Sequence, residues 1–465
     1  MRPARAILRP AAVAAALALA PAAWATDLLD TWRAAAAHDP EFAAARAASG
    51  VAPALARQAT SLWRPSIGLE AGIAQAGDET AIRGAQFAAP GFGRSTGVAF
   101  DTSVTNGWST RYGVVLRQPL WNAERDAQAS QLRIAADGAG IAWQAAQQDL
   151  ILRSVERYLA LGVATRQVRL LADQEAAALQ ARTEAQDRFR LGDKPVTDVH
   201  EATARAESLT AERLGAQAAL DLQRARFTDL TGMPAPPAPA VPGTAAPQPG
   251  DLARWLDRAA ASSPDVLQAQ ARLRSAEEEV RKTAGSLAPT LDVLAQAGRE
   301  RLTGHGDFGG ASQLATRHAI GVQLSIPLST GGWRGARQDE SVALAAKARA
   351  DLDRTRQQVA QQVRQAWLGL ATGAGRVRAL EAGWQAGLAR LDATRTGLQA
   401  GDRTTMDLLN AQNDATSAEL ALLQARVQLF TDRLRLAALA GDLGEQQLAE
   451  ANRDLVPAAA PPRDP

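Results

Sequence analysis

The residues able to do chemistry are few and scattered. None of the 465 residues is cysteine, which excludes disulfides, thiol catalysis, cysteine–zinc sites and a lipidated N-terminal cysteine. The four histidines, His38, His200, His305 and His318, lie far apart, and none sits at metal-ligand spacing. No nucleophile, metal or phosphate constellation is present, so no metal, no cofactor and no enzymatic activity are expected. What recurs is an acid after a glycine. Leu191-Gly192-Asp193 returns as Ala400-Gly401-Asp402, with Asp198 and Asp407 a few residues on. Glycine suits the left-handed turn that ends a helix, and aspartate suits the N-cap of the next. Asp198 and Asp407 also complement a positive helix N-terminus, a surface effect of ~0.3–1 kcal/mol. The chemistry on offer is electrostatic.

These acids belong to a duplicated chain. Asp27-Leu28-Leu29, His38-Asp39-Pro40 and Arg64-Pro65 recur 224 positions later as Asp251-Leu252-Ala253, Ser263-Pro264 and Ala288-Pro289. Gln118-Pro119-Leu120 recurs as Ile326-Pro327-Leu328, and Thr231-Gly232 as Ala440-Gly441. A period near 200 residues is too long for a solenoid repeat of ~20–50. It marks two similar modules, expected at 26–233 and 251–443, around a Pro/Ala/Gly linker at 234–250. A C-terminal tail is expected at 444–465, disordered beyond Leu455.

Residues 1–25 read as a secretory signal: Arg2, Arg5 and Arg9, then an apolar run from Ala11 to Ala20, then Ala23-Trp24-Ala25 as a cleavage site. The run is shorter than the ~20 residues a membrane helix needs. The whole chain carries 51 basic and 49 acidic residues, and removal of the three arginines leaves it near neutral. No basic patch with interleaved aromatics supports nucleic-acid binding.

Each module is expected to open with a helix, 27–61 or 251–287, rich in good helix formers and ending near Pro65 or Pro289. The apolar period then becomes two. Ile67, Leu69, Ala71 and Ile73 define one strand, and Tyr112, Val114 and Leu116 the next. In the second module Leu291, Val293, Ala295 and Ala297 are followed by Ile320, Val322, Leu324 and Ile326. Such segments of about 9–11 residues suit either half-buried strands of a soluble sheet or tilted transmembrane strands. Residues 77–107 and 301–316, dense in Gly, Ser, Thr and Asp, are expected to be loops. Trp63, Trp121 and Trp333 fall where strands meet helices, with Trp108 at the far end of a strand. Interfacial anchoring and ordinary packing both explain them.

Proline-free stretches then follow at 122–190 and 334–399. In the second, Val363, Leu370, Val377, Trp384, Leu391 and Leu398 repeat every seven residues, the mark of coiled-coil packing. About 68 residues make a rod of about 100 Å. A returning helix runs to Gly232 or Gly441, so each module ends in a helical hairpin. The opening and returning helices, placed end to end, match the long helix in length.

Four strands cannot close a membrane barrel, and lipid tolerates no open edge. Transmembrane strands would therefore require oligomerisation, giving eight, twelve or sixteen strands in a dimer, trimer or tetramer. Three or more chains leave room to conduct.

With its paired strands, duplicated modules and glycine–aspartate hairpin tips, the mature chain resembles the TolC family of outer-membrane channel-tunnels. Segments 190–199 and 398–411 resemble the family's hairpin-tip motif. The resemblance implies an α+β membrane protein whose homotrimer forms a 12-stranded β-barrel in outer-membrane lipid and a 12-helix periplasmic α-barrel. It implies a partnership, through a periplasmic adaptor (membrane fusion protein), with an inner-membrane ABC or proton-driven transporter. The opening segment from Asp27 through Pro40 looks most like members serving type I protein secretion; multidrug efflux is the alternative. The rivals are a non-channel periplasmic adaptor, which the duplication disfavours, a soluble enzyme with a helical insert, which no nucleophile, metal or phosphate constellation supports, and a pore-free envelope rod.

The resemblance also supplies roles. Asp407 matches a ring aspartate at the periplasmic entrance, and Asn410 stands at the second ring position, a departure that makes the ring less negative. Arg403 matches an arginine that links neighbouring coils, with Asp198 as its acidic partner. Leu191, Gly192, Asp193 and Lys194, with Ala400, Gly401 and Asp402, become the expected adaptor contact.

Overall fold

The computed structural model describes residues 27–91, 93–193, 195–243, 249–306 and 309–456. The expected signal segment 1–25, Lys194 and the chain beyond Val456 lie outside them. The elements are α1 (Leu28–His38), α2 (Pro40–Ser49), α3 (Ala52–Ser61), β1 (Ser66–Ala89), β2 (Gly93–Trp121), α4 (Ala123–Arg190) and α5 (Val196–Thr231). There follow β3 (Val241–Pro242), α6 (Leu252–Ser262), α7 (Pro264–Gly285), β4 (Thr290–Gly306) and β5 (Gly309–Ser325). The chain ends with α8 (Trp333–Ala400), α9 (Thr405–Leu439), α10 (Glu445–Arg453) and β6 (Leu455–Val456). Among the described residues, one compact unit comprises 27–49, 141–268 and 354–456; the other comprises 50–140 and 269–353.

Helices α4 and α8 run 68 residues each, as the proline-free stretches predict. The heptad positions Val363, Leu370 and Val377 are buried, as is Val359 beside them. Nearer the tip, Trp384, Leu391 and Leu398 are only half-buried. The main core joins Ile151, Val155, Tyr158 and Leu159 of α4 to Phe227 of α5, Leu434 of α9 and Leu28 of α1. Each such side chain contributes about 1.5–3 kcal/mol.

The opening helices are not continuous. Helix α1 stops at His38 and α2 begins at Pro40, while α6 stops at Ser262 and α7 begins at Pro264. The residue before proline is forced out of the helical region, and Asp39 (ψ 120°) and Ser263 (ψ 127°) are both extended. Proline at the first helical position costs no hydrogen bond, so a new helix starts there. The linker also contains regular structure, since Val241–Pro242 pairs with Leu455–Val456. The Tyr158 hydroxyl accepts the Ala240 N–H at 2.9 Å, which ties the linker to α4. The expected tail contains α10, whose Leu448 and Ala451 are fully buried. Its Asn452 accepts the Leu28 N–H and donates to Asp27.

Helices α8 and α9 approach closely where α8 has Gly369 and Gly373. A Cβ at Gly373 would meet Leu429, and one at Gly369 would collide with the Asp432 carboxylate. Asp432 is 7% exposed and accepts from Gln428 Nε2 at 2.9 Å. Burial raises its pKa above the usual carboxylate range. A carboxyl raised in this way favours the fold while protonated, and that contribution fades as pH climbs through the raised value. Asp432→Asn is therefore expected to raise the melting temperature at neutral pH. The gain should shrink as pH falls towards the ordinary carboxylate range; an equal gain at every pH would contradict the assignment.

In the second unit the sheet order is β1-β2-β4-β5, all antiparallel. The β2–β4 pairing thus joins the two modules. Residues 77–107 and 301–316 are not the expected loops, because strands occupy 77–89, 93–107, 301–306 and 309–316. In 77–107 the glycines and polar residues accompany an irregular ladder, whereas the β4–β5 ladder through 301–316 is unbroken. Register shifts interrupt the β1–β2 ladder at Ala76/Asp78, Ile82/Ala85 and Ala85/Phe87. Gly84 (φ 71°), Gly97 (φ 72°) and Asn106 (φ 49°) take left-handed conformations there.

Candidate functional site

The pairing register sorts the sheet into two faces. Ile67 pairs with Leu116, Leu69 with Val114 and Ala71 with Tyr112. Leu116 pairs with Ala295 and Val114 with Ala297, and Ala295, Val293 and Leu291 pair with Ile320, Val322 and Leu324. Directly paired residues share a face, so the apolar positions expected from the sequence converge on one surface. A slip of one residue would scatter them. That surface is open: Ile67 is 70% exposed, Leu69 77% and Ile320 80%. A soluble monomer rarely exposes an apolar patch of more than a few hundred Å². Trp108 and Tyr112 are exposed towards one end of this surface, and Trp121 at the other. Trp63 is half-buried and its carbonyl accepts from Gln118; Trp333 is exposed at the start of α8.

The opposite face carries the charge. Arg117 pairs with Asp292 at 2.5 Å, and Asp292 is buried against the wall. Ser109 Oγ donates to Glu300 at 2.8 Å, and Arg317 lies 3.5 Å from the same carboxylate. Glycines on this face set the curvature. A Cβ on Gly113 would lie 3.1 Å from the Gly298 Cα, and one on Gly304 would lie 2.6 Å from the Gly107 Cα. The β2 and β4 backbones therefore crowd together on the charged side. This crowding on one side implies a sheet that curls towards its charges and away from its hydrophobic side chains. Water would favour the reverse; a water-filled pore in lipid requires this arrangement. These charged residues were not singled out from the sequence, although they occupy the polar positions of the same period-two pattern.

The helical tips form by a different rule from the one expected. Gly192 (φ 79°) and Gly401 (φ 85°) are left-handed, as predicted. Asp193 and Asp402, however, do not cap the returning helices. The Asp193 N–H reaches back to the Arg188 carbonyl, and Gly192 to Phe189; Asp402 and Gly401 do the same to Gly397 and Leu398. These are Schellman closures of the preceding helix. The N-cap of α5 is Pro195, without a side-chain cap bond. The N-cap of α9 is Thr404, which forms a reciprocal capping box with Asp407. The Thr-x-x-Asp spacing at 404–407 carries this signal in the sequence.

Asp198 and Arg403 line one cavity of about 330 Å³, with Glu184, Arg188, Glu201 and Asp402. The Arg403 stem lies across Gly397, its Cγ 2.8 Å from where a Cβ would sit. Asp407 accepts the Thr404 N–H and hydroxyl, both at 2.9 Å. The Thr404 backbone bond, then its hydroxyl, hold the Asp407 pKa below the usual range, so it stays charged as pH falls. Asn410 is exposed one turn on. Among the described residues no group of side chains could hold a metal ion, and no helix is long and apolar enough to cross a membrane.

The family model described as outer membrane efflux protein matches residues 32–233 and 255–442, one stretch per module. The chain is 28% identical over 304 residues to the outer membrane efflux protein BepC of Brucella suis, a match that spans 65% of each chain, just under two thirds. It is 26% identical over 353 residues to the alkaline protease secretion protein AprF of Pseudomonas aeruginosa, covering 75% of this chain and 73% of that one. The crystal structure of the outer membrane protein VceC from Vibrio cholerae superposes with a TM-score of 0.68 at 19% identity. It covers 90% of this chain and 98% of VceC.

Proposed function

The chain belongs to the outer membrane efflux protein family, and from that membership we propose that it is the exit duct of a tripartite transport system. It resides in the bacterial outer membrane, with its helical hairpins in the periplasm. Its curled sheet, charged inside and apolar outside, is the observation that carries the reading. Strands β1 and β5 are the two edges of this sheet. Four antiparallel strands leave those edges running in opposite directions. An edge β5 can therefore accept β1 of a second copy in antiparallel register, and three copies close twelve strands. The half-buried Trp384, Leu391 and Leu398 would meet neighbouring copies along the helical duct. The exposed tryptophans would anchor the barrel at the two lipid–water boundaries.

The cargo is protein, delivered by an inner-membrane ABC transporter through a periplasmic adaptor. The AprF similarity and the opening segment at 27–40 support this reading. The BepC similarity supports the alternative, small-molecule efflux. Deleting the gene and assaying secreted proteins against drug susceptibility separates them: loss of a secreted protein with unchanged susceptibility is expected, and the opposite pattern selects efflux. The tips at 191–193 and 400–402 are the docking points for the adaptor. A photocrosslinker at Asp193 should capture the adaptor; capture only from positions remote from the tips would overturn that assignment.

At the periplasmic entrance, Asp198 and Arg403 of adjacent coils hold the duct shut, and the fixed Asp407 carboxylates form a ring favouring cations. Their shared cavity and the charged state of Asp407 support this. An exposed ion pair contributes ~0.2–1 kcal/mol. Three copies would bias the closed state by about 0.6–3 kcal/mol, roughly 3- to 150-fold in open population. Arg403→Ala should raise the conductance of single channels in planar bilayers, and unchanged conductance would remove the lock.

A further inference from the structure

We propose that Arg111 and Glu300 form a subsite on the pore wall for charged side chains or a chain terminus of a polypeptide in transit. The proposal rests on the exit-duct reading with protein as its cargo, and deepens it. Arg111 on β2 and Glu300 on β4 are direct register partners on the charged face. Opposite charges so placed stand ~4.5–5.5 Å apart at Cβ and ordinarily pair. Here they are held apart. Arg111 is laid sideways over Gly72 of β1, its Nε 3.2 Å and its Cγ 3.6 Å from where a Cβ would sit. Any larger residue at position 72 would lift the guanidinium off the wall. Glu300 is drawn away by the buried Ser109 hydroxyl at 2.8 Å and by Arg317 at 3.5 Å. Among the described residues Arg111 forms no ion pair, although Glu300 stands opposite it and Glu70 lies one row away.

The separation leaves a cleft of about 220 Å³ walled by Glu70, Arg111, Glu300 and Arg317, over the bare backbones of Gly113 and Gly298. It offers a guanidinium fork on one side and carboxylates on the other. A carboxylate from the cargo meets Arg111, and an ammonium or guanidinium meets Glu300 and Glu70. The cleft is smaller than the ~300–1,000 Å³ of pockets that enclose drug-sized ligands, so it suits one side chain at a time. Its contacts are open to water and therefore weak. Weak, repeated contacts are what passage through a pore requires, since binding must be favourable enough to enter and loose enough to leave.

The test uses full-length protein in planar bilayers. The probe is a synthetic peptide of alternating glutamate and lysine, compared with a glycine–serine peptide of equal length. Current blockades by the charged peptide should shorten roughly fivefold in Arg111→Ser and in Glu300→Gln, while blockades by the neutral peptide stay unchanged. Unchanged blockade times for the charged peptide in both variants, with pores still formed, would overturn the subsite and leave the duct standing. Equal shortening for both peptides would show a change of bore and would also overturn it. A wild-type protein that forms no pores would sink both readings.

Discussion

Valine at Gly298 is expected to abolish the outer-membrane oligomer and its conductance. Gly298 faces the pore at the seam between the modules, where a Cβ would lie 3.0 Å from the Tyr112 carbonyl and 3.3 Å from the Gly113 Cα. Both obstacles are backbone and cannot rotate aside. Overpacking costs about 1–3 kcal/mol at a well-packed site, and the seam would occur three times in a closed ring. The damage is geometric as well as energetic. Flattening β2 against β4 splays β1 and β5, the two edges that must meet sister chains. Gly321 supplies the control, because it also faces the pore on β5 yet has nothing within 4 Å of a Cβ. Gly321→Val should assemble and conduct, and Gly298→Ala should fall between. Normal heat-sensitive oligomers and conductance from Gly298→Val would show that curvature at this seam does not matter.

Asp39→Ala is expected to destabilise the helical unit strongly. The side chain of Asp39 is 8% exposed. Its Oδ2 accepts the Phe42 N–H at 3.0 Å, capping α2, and meets Arg153 of α4 at 2.9 Å. Phe42 in turn stacks on Trp143 of α4 at 4.9 Å between centroids. One carboxylate thus seats the helix whose start Pro40 dictates. Losing a cap costs about 1 kcal/mol, and breaking a buried pair about 3–5. Arg153 is a quarter exposed and keeps Asp149 at 2.6 Å and Glu41 at 3.3 Å, which lowers the second figure. A net loss of about 2–4 kcal/mol should appear as a lower unfolding midpoint in detergent. Asp39→Asn keeps the cap acceptor and should lose about half as much. A loss under about 0.5 kcal/mol for alanine would contradict both roles.

The legible parts of this chain were those governed by period and punctuation. Ile67 to Ile73 and Ile320 to Leu324 announced strands with one apolar face, and the register obeys them. The absence of proline announced two helices of 68 residues each. Other features were hidden because one residue type serves several backbones. Glycine and serine at 77–107 resemble a loop in composition, yet bulges carry them inside strands. Asp402 follows a glycine as an N-cap would, yet its N–H closes the helix before it while Thr404 caps the helix after it. Arg111 and Glu300 sit 189 positions apart, and only the β2–β4 pairing makes them neighbours. The curvature was equally hidden, since Gly113 and Gly321 look alike until a neighbouring backbone is placed beside one of them.

Native mass spectrometry of the complex, extracted from outer membrane in mild detergent, is the most direct test of a barrel shared between copies. Three chains in one particle are expected, dissociating on heating into monomers. A lone chain that remains in the aqueous fraction after gentle cell breakage would contradict the shared barrel, and the gate, docking and subsite assignments would fall with it.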